Sequence, residues 1–262
     1  MKTVEVNGIT MRYEIEGGGP WVTLSHSLSC DLSMWDELAA ALAPKFSVLR
    51  YDTRGHGGSS APVGPYSFDQ LTADFNGLLD VLDIESTHFV GLSMGGMIAQ
   101  HLALSTPQRV DKLVIANSTS RIPPEAGPLW DERIAIVLAQ GCAGVVEGTL
   151  ARWFTPGFRA AHPAAVARIA TQIRSTPTTG YVGCATAIRA LDITARIGGI
   201  VAPTLVIVGA DDPGTPPAMS EVIAATIPGA RLEIIPSASH LSCIEQPEIF
   251  NRLVADFLKT DF

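Results

Sequence analysis

The chain has 262 residues, 47% of them hydrophobic and 17% charged, with a formal net charge of -8 and a pI of about 5.2. That length fits one large α/β domain, or a domain carrying an insertion, and supplies a substantial core. The acidic balance argues against nucleic acid or an anionic membrane as the main partner, and it obliges any anionic ligand to find a local cationic contact.

In chain order, "TVEV" and "MRYEIE" alternate like an N-terminal hairpin around Asn7-Gly8. "WVTLSH" and "FSVLRYD" are short apolar runs flanking a helical stretch near residues 32–42. Ser67 with Gln70 three positions on is a capping-box signature, opening a helix that carries Leu71, Phe75, Leu78, Leu79 and Leu82 at helical spacing. "THFVGL", "KLVIANS", "TLVIVGA" and "RLEIIPS" complete the set of apolar strands, and Pro247 opens a final helix with Ile249, Phe250, Leu253, Val254, Phe257 and Leu258 on its buried side. Such alternation predicts an α/β fold: a mostly parallel sheet of about eight strands with helices on both faces.

Residues 121–196 interrupt the rhythm, with no convincing strand. They are rich in arginine and hold Trp130 and Trp153. The spacing therefore divides the chain into a core of 1–120 and 197–262 and a helical insertion of 121–196, either a cap over the C-terminal edge of the sheet or a plain helical subdomain; the Trp and Arg content favours the cap. The N-terminus shows no apolar signal core, and no apolar run approaches the ~18 residues needed to span a bilayer. The cysteines Cys30, Cys142, Cys184 and Cys243 form no Cys-x-x-Cys pair. Reduced thiols in a cytoplasmic protein, with no membrane partner, are the expectation. No motif bears on oligomeric state.

The chemistry centres on "GLSMG". Gly91-Leu92-Ser93-Met94-Gly95 is a G-x-S-x-G between a strand and a helix. Glycine there permits a sharp turn that presents the serine hydroxyl, and the alternative is a tight turn and nothing more. A serine needs a base, and the base needs an orienting carboxylate. In this context the order is Ser, acid, His, and His240 falls between the last strand and the last helix. His26 and His56 precede the serine, His88 and His101 lie in the elbow's own strand and helix, and His162 belongs to the insertion. For the acid, Asp212 is preferred to its neighbour Asp211, because adjacent residues point apart and Gly-x-x-Asp after the strand favours Asp212. Backbone amides of Met94 and Leu28 are the candidate oxyanion donors, with a plain strand-to-helix loop as the alternative reading of "LSHSLSCD". "YDTRGHGGSS" matches neither a P-loop nor a dinucleotide fingerprint, so Arg54 and His56 read as loop-fixing residues. No cluster has metal-ligand spacing, and no metal or other cofactor is expected.

Together the Asp52-x-Arg54-Gly55-His56-Gly57-x-Ser59 loop, the Ser93 elbow, Asp212 and His240 resemble the α/β-hydrolase superfamily over essentially the whole chain. "SLSCDLSMWDELAAAL", "RWFTPGFR" and "DDPGTPPAMSEVIAATIPGARLEIIPSASHLSCIEQPEIF" are similar to 3-oxoadipate enol-lactonases. Ser27 departs from the His-Gly of the usual oxyanion loop, Ser29-Cys30 stands where Gly-Thr is expected, and Cys243 where Asn is expected. The resemblance implies a small-molecule lactone or ester substrate, opened through an acyl-enzyme on Ser93 in aromatic-compound catabolism. It also implies a substrate carboxylate, for which Arg133 is the expected partner, with Trp130 and Trp153 as pocket walls; the alternative for Arg133 is a solvated surface position. A carboxylesterase or C–C bond hydrolase using the same triad is the runner-up, and a non-catalytic ligand receptor on the same fold is the alternative of another class. Haloalkane dehalogenation is disfavoured, since that variant needs a carboxylate where Ser93 stands.

Overall fold

A computed structural model describes residues 2–260. Its eight strands are β1 (Lys2–Val6), β2 (Ile9–Gly17), β3 (Trp21–Ser25), β4 (Ser47–Tyr51), β5 (Thr87–Leu92), β6 (Val110–Ala116), β7 (Thr204–Gly209) and β8 (Arg231–Ile235). They form one sheet in the order β1-β2-β4-β3-β5-β6-β7-β8, with β1, β2 and β4 joined antiparallel and every later pairing parallel. Asn7 (φ 47°) and Gly8 (φ 76°) turn the β1–β2 hairpin in the left-handed region that this dipeptide tolerates, setting Val6 opposite Ile9.

The helices are α1 (Asp36–Leu42), α2 (Phe68–Val81), α3 (Met94–Ser105), α4 (Gly127–Gln140), α5 (Val146–Trp153), α6 (Pro156–Ala161), α7 (Pro163–Ser175), α8 (Thr178–Arg189), α9 (Pro217–Thr226), α10 (Ser242–Glu245) and α11 (Pro247–Lys259). Neighbouring residues of a strand point to opposite faces of the sheet. On β4, Arg50 reaches Asp36 of α1 at 2.6 Å, while the Tyr51 ring meets Phe75 of α2 at 5.3 Å between centroids. The α1 and α11 pair therefore covers one face and α2 with α3 the other, giving the expected three layers. Ser67 caps α2 by accepting the Gln70 amide at 3.1 Å. β7 is buried along its whole length. β8 forms where the sequence predicts a strand, and as the sheet edge, paired with β7, it leaves Ile234 exposed.

Helices α4 to α8 lie between β6 and β7. The segment leaves and rejoins the sheet at one place: Ile193 donates its amide to Ser120 O at 2.9 Å, Ile122 to Leu191 O at 2.9 Å, and the Ser120 and Thr194 hydroxyls are 2.7 Å apart. All four cysteines are buried and free.

The loop after β4 is a rigid frame. Asp52 accepts the Leu32 and Gly58 amides at 2.8 and 2.7 Å, and Arg54 grips Asp74 with two bonds of 2.6 and 2.7 Å. His56 is buried beside His26, and burial first, then the neighbouring imidazole, push its pKa down to about 3. Histidine titrates at 6.5 when unperturbed, so in the window from 6.5 down to about 3 the unfolded chain takes up a proton that native His56 refuses. This contribution is complete above the window and is lost as pH falls through it. Denaturant midpoints measured from pH 7 to pH 4 are expected to decline, and to decline less steeply in His56→Gln. An equal slope in both proteins would contradict the assignment.

Candidate active site

The site is assembled at the C-terminal ends of four neighbouring strands, β3, β5, β6 and β7, together with the loop after β8. Ser93 sits between β5 and α3 with φ 57° and ψ -114°, a conformation outside the ordinary regions for a side-chain-bearing residue, typically costing ~1–3 kcal/mol. The surroundings hold it there. Its amide donates to Ala116 O at 2.9 Å, and its carbonyl accepts from the Met97 amide at 3.0 Å and the Ser118 hydroxyl at 2.8 Å. The flanking glycines are required by close approach: a Cβ on Gly91 would lie 2.2 Å from Gly95 O, and one on Gly95 2.1 Å from Ser25 O. Met94, the first residue of α3, has no carbonyl of its own helix to receive its amide, and the helix dipole adds positive potential at that point.

The histidine and aspartate meet. His240 Nδ1 lies 2.8 Å from Asp212 Oδ2, and both groups are buried. The carboxylate is saturated with donors. Oδ2 also accepts from Asn117 Nδ2 at 2.9 Å and the Thr215 hydroxyl at 2.8 Å, and Oδ1 accepts from the Gly214 and Thr215 amides at 2.8 and 3.0 Å. Burial alone would raise the Asp212 pKa, but the His240 charge and these hydrogen bonds outweigh it and hold the carboxyl below its usual value. With Nδ1 engaged by Asp212, Nε2 is the nitrogen left to work on a substrate. Asp211 is exposed, and among the described residues no hydrogen bond or ion pair joins its side chain to His240.

Ser93 and His240 open onto one cavity of about 330 Å³. Its lining includes Leu28, Trp130, Arg133 and Trp153, so six of the residues singled out in the sequence share it. Asp212 lies behind His240, and Met94 is fully buried beneath the elbow. Trp153 stacks on the His240 ring with centroids 5.8 Å apart and planes inclined by 26°. Leu28 occupies a turn closed by the Cys30 amide on Ser27 O at 3.1 Å, and Ser27 O also meets His26 Nδ1 at 2.8 Å. Since Thr53 donates its amide to His26 Nε2 at 2.9 Å, Nδ1 carries the proton and the loop is tied to the end of β4. Ser29 has φ 61°, the region glycine adopts freely, which accounts for the expectation of glycine at that position. A more open groove of about 540 Å³ crosses the outer surface of α5 to α7 and contains neither Ser93 nor His240.

Arg133 lies over the Trp130 ring, 5.0 Å from its centroid, and Arg152 joins it in the cavity wall. Burial lowers the pKa of both guanidiniums, and Arg133's charge lowers Arg152's further. Among the described residues neither forms an ion pair, and Nε of Arg133 has no hydrogen-bond partner. Arg159, Arg168 and Arg189 of the same segment instead pair with Glu147, Asp36 and Asp131. Arg133 is thus half-buried in the cavity wall, with its Nε shielded from water. Arg152 escaped sequence reading although it directly precedes Trp153; Asn117 and Thr215 escaped it too, and only their positions at the ends of β6 and β7 hinted at a role.

A family model for the α/β-hydrolase fold matches residues 20–247. The chain is 37% identical over 259 residues to 3-oxoadipate enol-lactonase 2 of Acinetobacter baylyi, covering 98% of this chain and 96% of that one. It is 31% identical over 254 residues to the putative carbamate hydrolase RutD of Variovorax paradoxus, covering 95% and 96%. Among solved structures, the enol-lactonase from Burkholderia xenovorans LB400 superposes with a TM-score of 0.95 at 40% identity, covering 99% of this chain and all (100%) of that chain. With its mostly parallel eight-stranded sheet and a family match across most of its length, this chain belongs to the α/β-hydrolase family and is a hydrolase.

Proposed function

We propose that the protein opens a carboxylate-bearing enol-lactone, 3-oxoadipate enol-lactone, to the open-chain acid 3-oxoadipate by acyl transfer through Ser93, in aromatic-compound catabolism. One observation carries the reading: the cavity that presents Ser93 and His240 also presents two half-buried guanidiniums that, among the described residues, form no ion pair. Partial desolvation makes an unpaired cation costly, and a substrate carboxylate offsets that cost when it binds. The likeness to proteins named enol-lactonases supports the same substrate class.

In this mechanism His240 Nε2 takes the Ser93 proton as Oγ attacks the lactone carbonyl. The amides of Leu28 and Met94 hold the oxyanion, and Asp212 stabilises the imidazolium. The ring C–O bond breaks to release an enol, which takes its proton from His240 and tautomerises to the ketone. Water, deprotonated by His240, then attacks the acyl-serine; the Ser93 Oγ–acyl bond breaks, Oγ takes that proton back from His240, and the acid is freed. Residues 121–196 act as a cap that supplies the carboxylate contact and excludes bulk water.

The second reading, hydrolysis of a carbamate, rests on the likeness to proteins named putative carbamate hydrolases. Comparing kcat/KM for an acidic enol-lactone, a neutral lactone, p-nitrophenyl acetate and a carbamate separates the two. The acidic lactone is expected to lead, and a lead for the carbamate or for either neutral substrate would sink the lactonase reading. Arg133→Met is expected to raise KM for the acidic lactone roughly ten- to hundred-fold, as loss of a hydrogen bond to a charged group implies. The same variant should leave p-nitrophenyl acetate turnover intact; an unchanged KM for the acidic lactone would remove Arg133 from the carboxylate site.

A further inference from the structure

Glu245, at the end of α10, is a buried carboxylate with no part in the chemistry just described. Its Oε1 accepts both the backbone amide and the hydroxyl of Thr155, each at 2.8 Å. Its Oε2 accepts the backbone amide of Ser239. Thr155 is the N-cap of α6, two residues beyond Trp153, and Ser239 immediately precedes His240. The carboxylate therefore bridges the segment that forms the cavity's outer wall and the loop that carries the histidine.

Two further bonds run along the same seam. The Ser239 hydroxyl donates to Arg152 O at 2.8 Å, and the Leu241 amide donates to Trp153 O at 3.2 Å. Residues 239–241 are thus laced to residues 152–155, and the Trp153 ring stacks on His240 from within that lacing. Of these links, only the one through Glu245 joins both strands of the seam with a single charged group, and a charged acceptor makes stronger hydrogen bonds than a neutral one.

We propose that Glu245 is a positioning residue: a buried carboxylate strap that holds the Arg152–Thr155 wall and the His240 loop in one register, so that cavity wall and general base are set together. The proposal rests on the reading of Ser93 and His240 as nucleophile and base. Glu245 touches no substrate. It acts through Ser239 on the backbone that aims the imidazole, and through Thr155 on the backbone that places Trp153 and Arg152.

The test is Glu245→Gln, assayed with p-nitrophenyl acetate, a neutral ester that makes no demand on the arginines. Either orientation of the new amide sets its NH2 against a backbone N–H, of Ser239 or of Thr155, so one side of the strap must open. The expected result is a fall in kcat of roughly ten- to hundred-fold, the scale set by a misplacement of about 1 Å near a catalytic group, with KM nearly unchanged. Thr155→Val removes the hydroxyl's bond to Oε1, together with its cap on the Phe158 amide, but leaves the Thr155 amide on Oε1, and should lower kcat in the same direction by less. In kcat the double variant should be no worse than Glu245→Gln alone, since both substitutions open one strap, while the lost α6 cap should appear only as a lower melting temperature. If Glu245→Gln fails to fold, Thr155→Val carries the test by the same split between kcat and KM. Wild-type kcat in the folded variant, or a loss confined to KM, would overturn the strap. A wild-type enzyme that turns over no ester or lactone would overturn the hydrolytic reading of Ser93 itself, so the two failures are distinct.

Discussion

Ser93→Ala is expected to lose turnover of every ester and lactone, on the order of 10⁶-fold in kcat, because in the proposed mechanism it removes the nucleophile of an interdependent triad. Alanine keeps the Cβ, so the elbow's positive φ, its 2.9 Å bond to Ala116 O and the packing of Gly91 and Gly95 remain as they are. The variant should therefore melt close to wild type and still bind an acidic product. A serine-directed phosphonate should label the wild-type chain once and the variant not at all. Retention of more than about a thousandth of the wild-type rate would mean that water or another side chain attacks the carbonyl, since oxyanion contacts and binding alone leave only ~10³–10⁴-fold over the uncatalysed reaction. Binding without turnover in the wild-type protein would instead favour the receptor alternative.

Asp212→Asn is the second large effect, about 10⁴-fold in kcat. The carboxylate oxygens now accept five hydrogen bonds, three of them on Oδ2. An amide cannot accept them all. If its NH2 replaces Oδ2, it faces Asn117 Nδ2 and turns the His240 lone pair towards itself. The imidazole then carries its proton on Nε2 and cannot take one from Ser93. The loss should appear in kcat and leave binding of an acidic product little changed. Asp211→Asn is the matched control; its exposed side chain lies outside the network, so it should retain wild-type kcat. Equal losses in both variants would reassign the acid.

What the sequence disclosed depended on how local each signal was. The elbow is legible because a strand, three glycines and a helix start are contiguous, and the steric demand falls within that stretch. His240 and Asp212 lie 28 residues apart yet were placed, because chain order around the last two strands limits the choices. The partners that complete the site were not legible. Asn117 reaches Asp212 across 95 residues and Thr155 reaches Glu245 across 90, and neither pairing leaves a periodicity or a motif. Arg133 is legible only through the neighbouring Trp130, and Arg152 could not be told from Arg159 or Arg189 by composition, because what separates them is the absence of an ion pair, a property of the folded chain. β8 is legible as a strand but its place at the sheet edge is not, because an edge strand and a central one have similar residues but different numbers of neighbours.

The closure between Ser120 and Thr194, and between Ile122 and Leu191, carries a consequence for descent. A loop whose ends already meet can change length at little entropic cost to the rest of the fold, since closure entropy grows only with the logarithm of loop length. β6 and β7 pair in parallel through Leu113 to Ala116 and Thr204 to Ile207, whatever lies between them. The sheet pairing therefore sets no length for the helices between those strands. Relatives that share the Ser93 elbow could diverge in what they recognise by rewriting this one stretch, provided each new version keeps an anchor for the histidine loop where Thr155 now meets Glu245.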